Sequence, residues 1–88
     1  MITSLAVLMI LSSERSENVE ILSMRLRELR EKNKWNQEEV AKKCNLVLRT
    51  YRRYETGESE PQASALVKMA DFYNVSIDYL TGRTDDPR

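Results

Sequence analysis

Val19, Leu22, Leu26 and Leu29 recur at three- and four-residue steps with arginines and glutamates between them, the spacing that lays one apolar stripe along a helix. This predicts a first helix that starts between Ser16 and Ser23 and ends near Asn33. The next start signal is dense: Asn36 can cap, Glu39 can bond back to the cap's amide, and Trp35 and Val40 occupy the positions of a hydrophobic staple. A short second helix over Gln37 to Cys44 follows. Asn45 tolerates the left-handed backbone that a tight helix-to-helix turn requires. A third helix is predicted from Leu48 to Thr56, closed by Gly57. It places Leu48, Tyr51, Tyr54 and Glu55 on one face and Arg49, Arg52, Arg53 and Thr56 on the other. Beyond Glu58-Ser59-Glu60-Pro61, a fourth helix turns Leu66, Val67, Met69, Ala70, Phe72 and Tyr73 inward. Ser76 then caps a short fifth helix with Ile77, Tyr79 and Leu80, closed by Gly82. Residues 83–88 are polar and are expected to be loose.

Upstream lies a different pattern, the unbroken apolar run Leu5-Ala6-Val7-Leu8-Met9-Ile10-Leu11. It is far short of the ~20 residues that cross a bilayer, and it lacks the preceding basic stretch of a secretory signal. A strand or helix packed on the domain, the same segment packed on a second copy, and an extension with no role of its own all remain open. With only two prolines and two glycines in 88 residues, the chain has too little turn chemistry for many short strands. The expected fold is all-α, a compact five-helix bundle. The expected organisation is a candidate dimer-forming extension over 1–22, a folded unit over 23–82 and a polar tail over 83–88.

Composition narrows the chemistry. There is no histidine, the side chain most used for proton transfer near neutral pH. Cys44 is the only cysteine, so it forms no internal disulfide and finds no partners for a metal site or an activated thiol. It reads as a small core hydrophobe, and Met24 and Met69 read as packing residues. Neither a catalytic set, nor a metal, nor a cofactor is expected, and the setting is a reducing, cytoplasmic one. Net charge is zero, yet residues 24–56 carry ten basic against five acidic side chains, a net of +5, between flanks of −2 and −3. A basic block of this kind points to a polyanionic partner.

Two short helices joined at Asn45, the second with three arginines on one face and aromatic rings on the other, have the layout of a helix-turn-helix. Such a helix is about 10–12 Å across and fits a major groove about 12 Å wide. Arginine suits its outer face because the planar fork can bond guanine O6 and N7 together or clamp a phosphate.

The chain resembles a known family in several ordered blocks. These are Gln37-Glu38-Glu39-Val40-Ala41-Lys42-Lys43-Cys44, Tyr51-Arg52-Arg53-Tyr54-Glu55-Thr56-Gly57, Glu60-Pro61, the stretch from Leu66 to Ser76, and Asp78-Tyr79-Leu80-Thr81-Gly82-Arg83. Over roughly residues 24–86 it is similar to the phage repressor and Cro-type (Xre-like) helix-turn-helix regulators. The resemblance implies a compact five-helix domain that binds operator DNA as a homodimer, without a small-molecule ligand or a membrane. By position, it implies phosphate contacts by Gln37 with the neighbouring Asn36, base reading by Leu48, Arg49 and Arg53 with Arg52 alongside, and an internal salt bridge between Arg30 and Glu55. It makes Ala41 the small residue at the helix crossing and Tyr51 and Tyr54 core residues. Val47 stands where the family commonly has a serine or threonine cap, Asn45 replaces a frequent glycine, and Leu48 replaces a commonly polar reader.

The expected function is therefore a sequence-specific double-stranded DNA-binding transcription regulator, a repressor associated with the nucleoid. The alternative is a protein-interaction module, such as an antitoxin-like partner, that uses the apolar run as its contact surface. A dimeric scaffold is a third reading. An enzyme is the weakest, since nothing assembles a nucleophile, base and orienter.

Overall fold

Every helix in the described chain, residues 18–88 of a computed structural model, ends on a residue with positive φ: Lys34 (58°), Asn45 (56°), Gly57 (81°), Asn74 (57°) and Gly82 (83°). The next amide reaches back across each helix end. Trp35 N bonds Arg30 O at 3.1 Å, Leu46 N bonds Ala41 O at 2.8 Å, Glu58 N bonds Arg53 O at 3.0 Å, Val75 N bonds Ala70 O at 2.9 Å and Arg83 N bonds Asp78 O at 2.8 Å. These are Schellman closures, which satisfy the last carbonyls of a helix and turn the chain sharply. The helices they close are α1 over 18–32, α2 over Gln37–Lys43, α3 over Leu48–Thr56, α4 over Ala63–Tyr73 and α5 over Ile77–Leu80. No strand occurs among the described residues. The apolar run Leu5 to Leu11 lies outside them.

One core collects residues from all five helices. Leu22 and Leu26 of α1, Val40 and Ala41 of α2, Tyr51 and Tyr54 of α3, Met69, Ala70 and Tyr73 of α4 and Leu80 of α5 are buried, with Cys44 just past the end of α2. The Tyr51 and Tyr73 hydroxyls hydrogen-bond each other at 2.8 Å inside it, which meets the polar requirement of two buried rings. Burial drives both phenols up, that of Tyr73 to about 12. It also drives the Cys44 thiol up to about 11, so the sulfur stays protonated and serves as a hydrophobe.

Several expectations need correction. Val67 and Met24 are each 45% exposed: each sits on a back face of its helix, and being apolar did not turn it inward. Trp35 stacks on Phe72 at a centroid distance of 4.8 Å and reaches Tyr73 at 6.1 Å, so its ring ties the α1–α2 connection to α4. The 83–88 segment is pinned as well. Arg25 donates to the carbonyls of Tyr79 and Thr84 and to Asp85 Oδ1, its guanidinium lies 4.1 Å from the centre of the Tyr79 ring, and Pro87 O accepts from Ser76 N at 2.7 Å.

Lys34 is the costly member of the five closures, because a lysine has neither glycine's freedom from a Cβ nor asparagine's short polar side chain that bonds locally, and so bears the left-handed strain of about 1 kcal/mol or more. The surroundings impose it: Trp35 is held on both sides, through its ring on Phe72 and through its carbonyl, which accepts from Arg30 Nη1 at 3.2 Å. Lys34→Gly should therefore raise stability by about 0.5–1 kcal/mol, read as a higher urea midpoint at unchanged slope.

Candidate nucleic-acid interface

The α2–α3 hairpin is built by local chemistry at each joint. Asn36 Oδ1 accepts from Glu39 N at 2.8 Å while Glu39 Oε1 accepts from Asn36 N at 3.1 Å, a complete capping box. The side-chain oxygen of Asn36 is thus committed to starting α2. At the other end, Ala41 is buried and its carbonyl accepts Leu46 N, so the turn folds back over a residue with no bulk beyond Cβ. Val47 precedes α3 without giving it a side-chain cap and stands 69% exposed.

Along α3 the two faces separate cleanly. Tyr51, Tyr54 and Glu55 are buried, whereas Arg49, Arg52, Arg53 and Thr56 are exposed. Leu48 falls between, half-buried and packed against the core cluster. Lys42 and Lys43 are exposed at the end of α2. The outcome is a helix anchored by two rings and one carboxylate, with three guanidinium groups facing solvent.

The buried carboxylate is the centre of the site's hydrogen bonding. Arg30 Nε donates to Glu55 Oε2 at 2.6 Å and Arg30 Nη2 to Glu55 Oε1 at 3.1 Å, a two-bond fork that only arginine can make. Gln37 Nε2 donates to Glu55 Oε1 at 3.1 Å, and Gln37 Oε1 accepts from Arg52 Nε at 3.2 Å. Burial pushes the Glu55 carboxyl up, but hydrogen bonds from Arg30, Tyr51 and Gln37 outweigh it and hold the group below its ordinary value. The same pair holds the Arg30 guanidinium above its ordinary value, chiefly through the bond to Glu55.

The structure thus brings Arg30, Glu55, Gln37 and Arg52 into one connected set, and it leaves Arg49 and Arg53 on the outer face. A helix-turn-helix family model matches residues 26–80, which include all of α2 and α3. The chain belongs to this family. Among its relatives are two regulators of Bacillus subtilis (strain 168). One is described as the uncharacterized HTH-type transcriptional regulator YobD, 41% identical over 63 residues, or 72% of this chain and 56% of that protein. The other is the HTH-type transcriptional regulator ImmR, 38% identical over 64 residues, or 73% and 50%. A protein of Vibrio cholerae named as the cryptic phage CTXphi transcriptional repressor RstR is 35% identical over 65 residues, 74% of this chain and 59% of the relative. The chain spans about half the length of the curated relatives it matches. No solved structure matches it. The relatives named here are transcriptional regulators, not enzymes.

Within this helix-turn-helix chain, the tie between Gln37, Glu55 and Arg52 is not legible in the sequence. Residues 37 and 55 are eighteen positions apart and on different helices, and no helical period links them. A signal was present in part, since a glutamate on the inward face of α3 needs more than one donor.

Removing the Glu55 charge leaves Arg30 facing the core without its partner, so Glu55→Gln should cost about 3 kcal/mol at neutral pH. The sign of the pH dependence follows from the lowered folded-state pKa: the unfolded chain takes up the proton more readily. The stabilisation by Glu55 is complete above its ordinary value of 4.5 and is lost as pH falls below it towards the folded-state value. Denaturant titrations from pH 7 down to pH 3 should show that acid loss in the parent and a flatter profile in Glu55→Gln.

Proposed function

We propose that the chain is a sequence-specific double-stranded DNA-binding transcription regulator, a repressor, that acts as a homodimer with α3 in the major groove. The observation that carries this reading is the exposed row of Arg49, Arg52 and Arg53 on a helix whose opposite face is buried in the core. The names of the relatives support regulation, and the repressor among them supports the direction. The DNA-binding unit in this reading is the expected 23–82 widened to take in the start of α1 from residue 18, since Leu22 lies in the core, with 83–88 held against it by Arg25; the remainder of the expected 1–22 extension is assigned to dimerisation. The cytoplasm, at the nucleoid, is the setting. No helix among the described residues is long and apolar enough to cross a membrane.

Arg49 and Arg53 are assigned to base edges. Their planar forks are matched to guanine O6 and N7, and each good bidentate contact discriminates by about 1–3 kcal/mol. Leu48 offers only its outer edge, suited to a thymine methyl, because the rest of it packs inward. Arg52 lies beside them. The start of α2, where Asn36 and Gln37 lie, is assigned to the phosphate backbone, which sets register without reading sequence.

Selection from a random duplex library tests the reading directly. The expected result is an enriched near-palindrome whose half-sites are about 34 Å apart, with affinity falling as salt rises. Retention that is blind to sequence and vanishes at moderate salt would reject it. Against the selected duplex, Arg53→Ala should lose about 1–3 kcal/mol and relax preference at particular base pairs. Competition with single-base variants of that duplex checks this, and unchanged preference would remove Arg53 from the reading.

A further inference from the structure

Gln37 opens α2, yet both ends of its side-chain amide are turned to the protein. The nitrogen donates to Glu55 and the oxygen accepts from Arg52 Nε. Glu55 is 3% exposed and is held on its other side by Arg30. Four side chains from three helices therefore form one hydrogen-bonded line, from Arg30 through the buried carboxylate of Glu55 and the amide of Gln37 to the exposed guanidinium of Arg52. Arg52 is the outer end of that line. Bonding at Nε occupies the side edge of the guanidinium fork and leaves its end edge, the two Nη groups, for an acceptor outside the protein.

We propose that Gln37 is a positioning residue, one that presents the Nη edge of Arg52 to a DNA phosphate instead of being the phosphate ligand itself. The proposal rests on the DNA-binding reading above. Three observations carry it. The amide of Gln37 is neutral and already bonded at both ends, whereas Arg52 brings the charge that a phosphate requires. Gln37 grips Arg52 and neither Arg49 nor Arg53, so one of the three outer arginines is singled out. Holding a long side chain in place costs rotamer freedom, and here part of that freedom is already lost in the free protein. A residue with a fixed orientation suits a backbone contact that sets register, while the two untied arginines can adjust to bases.

A double-mutant cycle on a random-sequence DNA duplex of about two helical turns tests it, with Gln37→Ala, Arg52→Ala and the double variant compared at several salt concentrations. Arg52→Ala should weaken binding and lower the slope of log affinity against log salt by about 0.9, one phosphate contact. Gln37→Ala should weaken binding by about fivefold, the worth of one hydrogen bond, and by less than about twofold once Arg52 is already alanine. Losses that multiply in the double variant would show that Gln37 binds the backbone on its own and would overturn the proposal. Thermal melting confirms that each variant is folded at the assay temperature. A readout without DNA separates this proposal from the DNA-binding reading: by NMR, the Arg52 Nε–H should exchange with water more slowly than those of Arg49 and Arg53, and Gln37→Ala should abolish the difference. Equal exchange at all three arginines overturns the positioning role whatever the DNA result. A protein that keeps the slow Arg52 Nε–H but ignores duplex DNA refutes the DNA-binding reading, and the phosphate assignment falls with it.

Discussion

A carboxylate folded into a protein interior must be met by donors, and Glu55 meets them from two helices other than its own. Arg30 reaches it from α1 with two bonds and Gln37 from α2 with one. The cost of desolvating a charge is several kcal/mol, so this arrangement is stable only when those bonds form together. It follows that α3 has little freedom to rotate or slide against α1 and α2. A small rotation of α3 would carry Glu55 out of the fork and leave two charges under-solvated. Apolar packing of Tyr51 and Tyr54 tolerates such a shift far better, because dispersion contacts are not directional. The ion pair therefore sets orientation while the rings supply adhesion.

Arg30 extends that constraint to the chain connections. Its third nitrogen bonds the Trp35 carbonyl, and the Trp35 ring sits on Phe72. One arginine thus joins α1, the α1–α2 connection and α3, and the adjacent stacking carries the link to α4. The short connections between helices match this tightness. Each reverses through a single left-handed residue and a bond back across the helix end, which leaves the hairpin of α2 and α3 no slack.

Much of the fold was legible because it rests on local rules. The third helix was predicted from Leu48 to Thr56 and is found there, since its apolar period, its aromatic spacing and Gly57 agree. Asn45 and Gly82 were legible because their residue types accept positive φ at low cost. Lys34 was not, since nothing in a lysine signals that conformation; the hold on Trp35 imposes it from outside. Val67 shows the matching limit of periodicity, which finds the apolar stripe of a helix but not where the neighbouring helices end, and Met24 shows that apolar character alone does not fix burial. The tail escaped for the same reason. Its polarity suggested looseness, but Arg25, sixty positions away from Asp85, supplies donors that composition does not reveal. In the candidate site, the exposed arginine face followed from period alone, while the line from Glu55 through Gln37 to Arg52 required distances between two helices.

That line changes how the charge on α3 is understood. Three exposed arginines on one face repel one another, and by themselves they would make a mobile, unspecific cationic surface. Tying Arg52 to the folded core through a neutral amide divides the face in two, with one cation fixed relative to the backbone and two free to adapt. The amide matters to that division. A glutamate at position 37 would place a second carboxylate beside Glu55, whereas glutamine is able to donate to one neighbour and accept from the other. Stability and the surface geometry of the hairpin are therefore coupled: the bonds that make Glu55 tolerable inside the protein also determine how Arg52 is presented outside it.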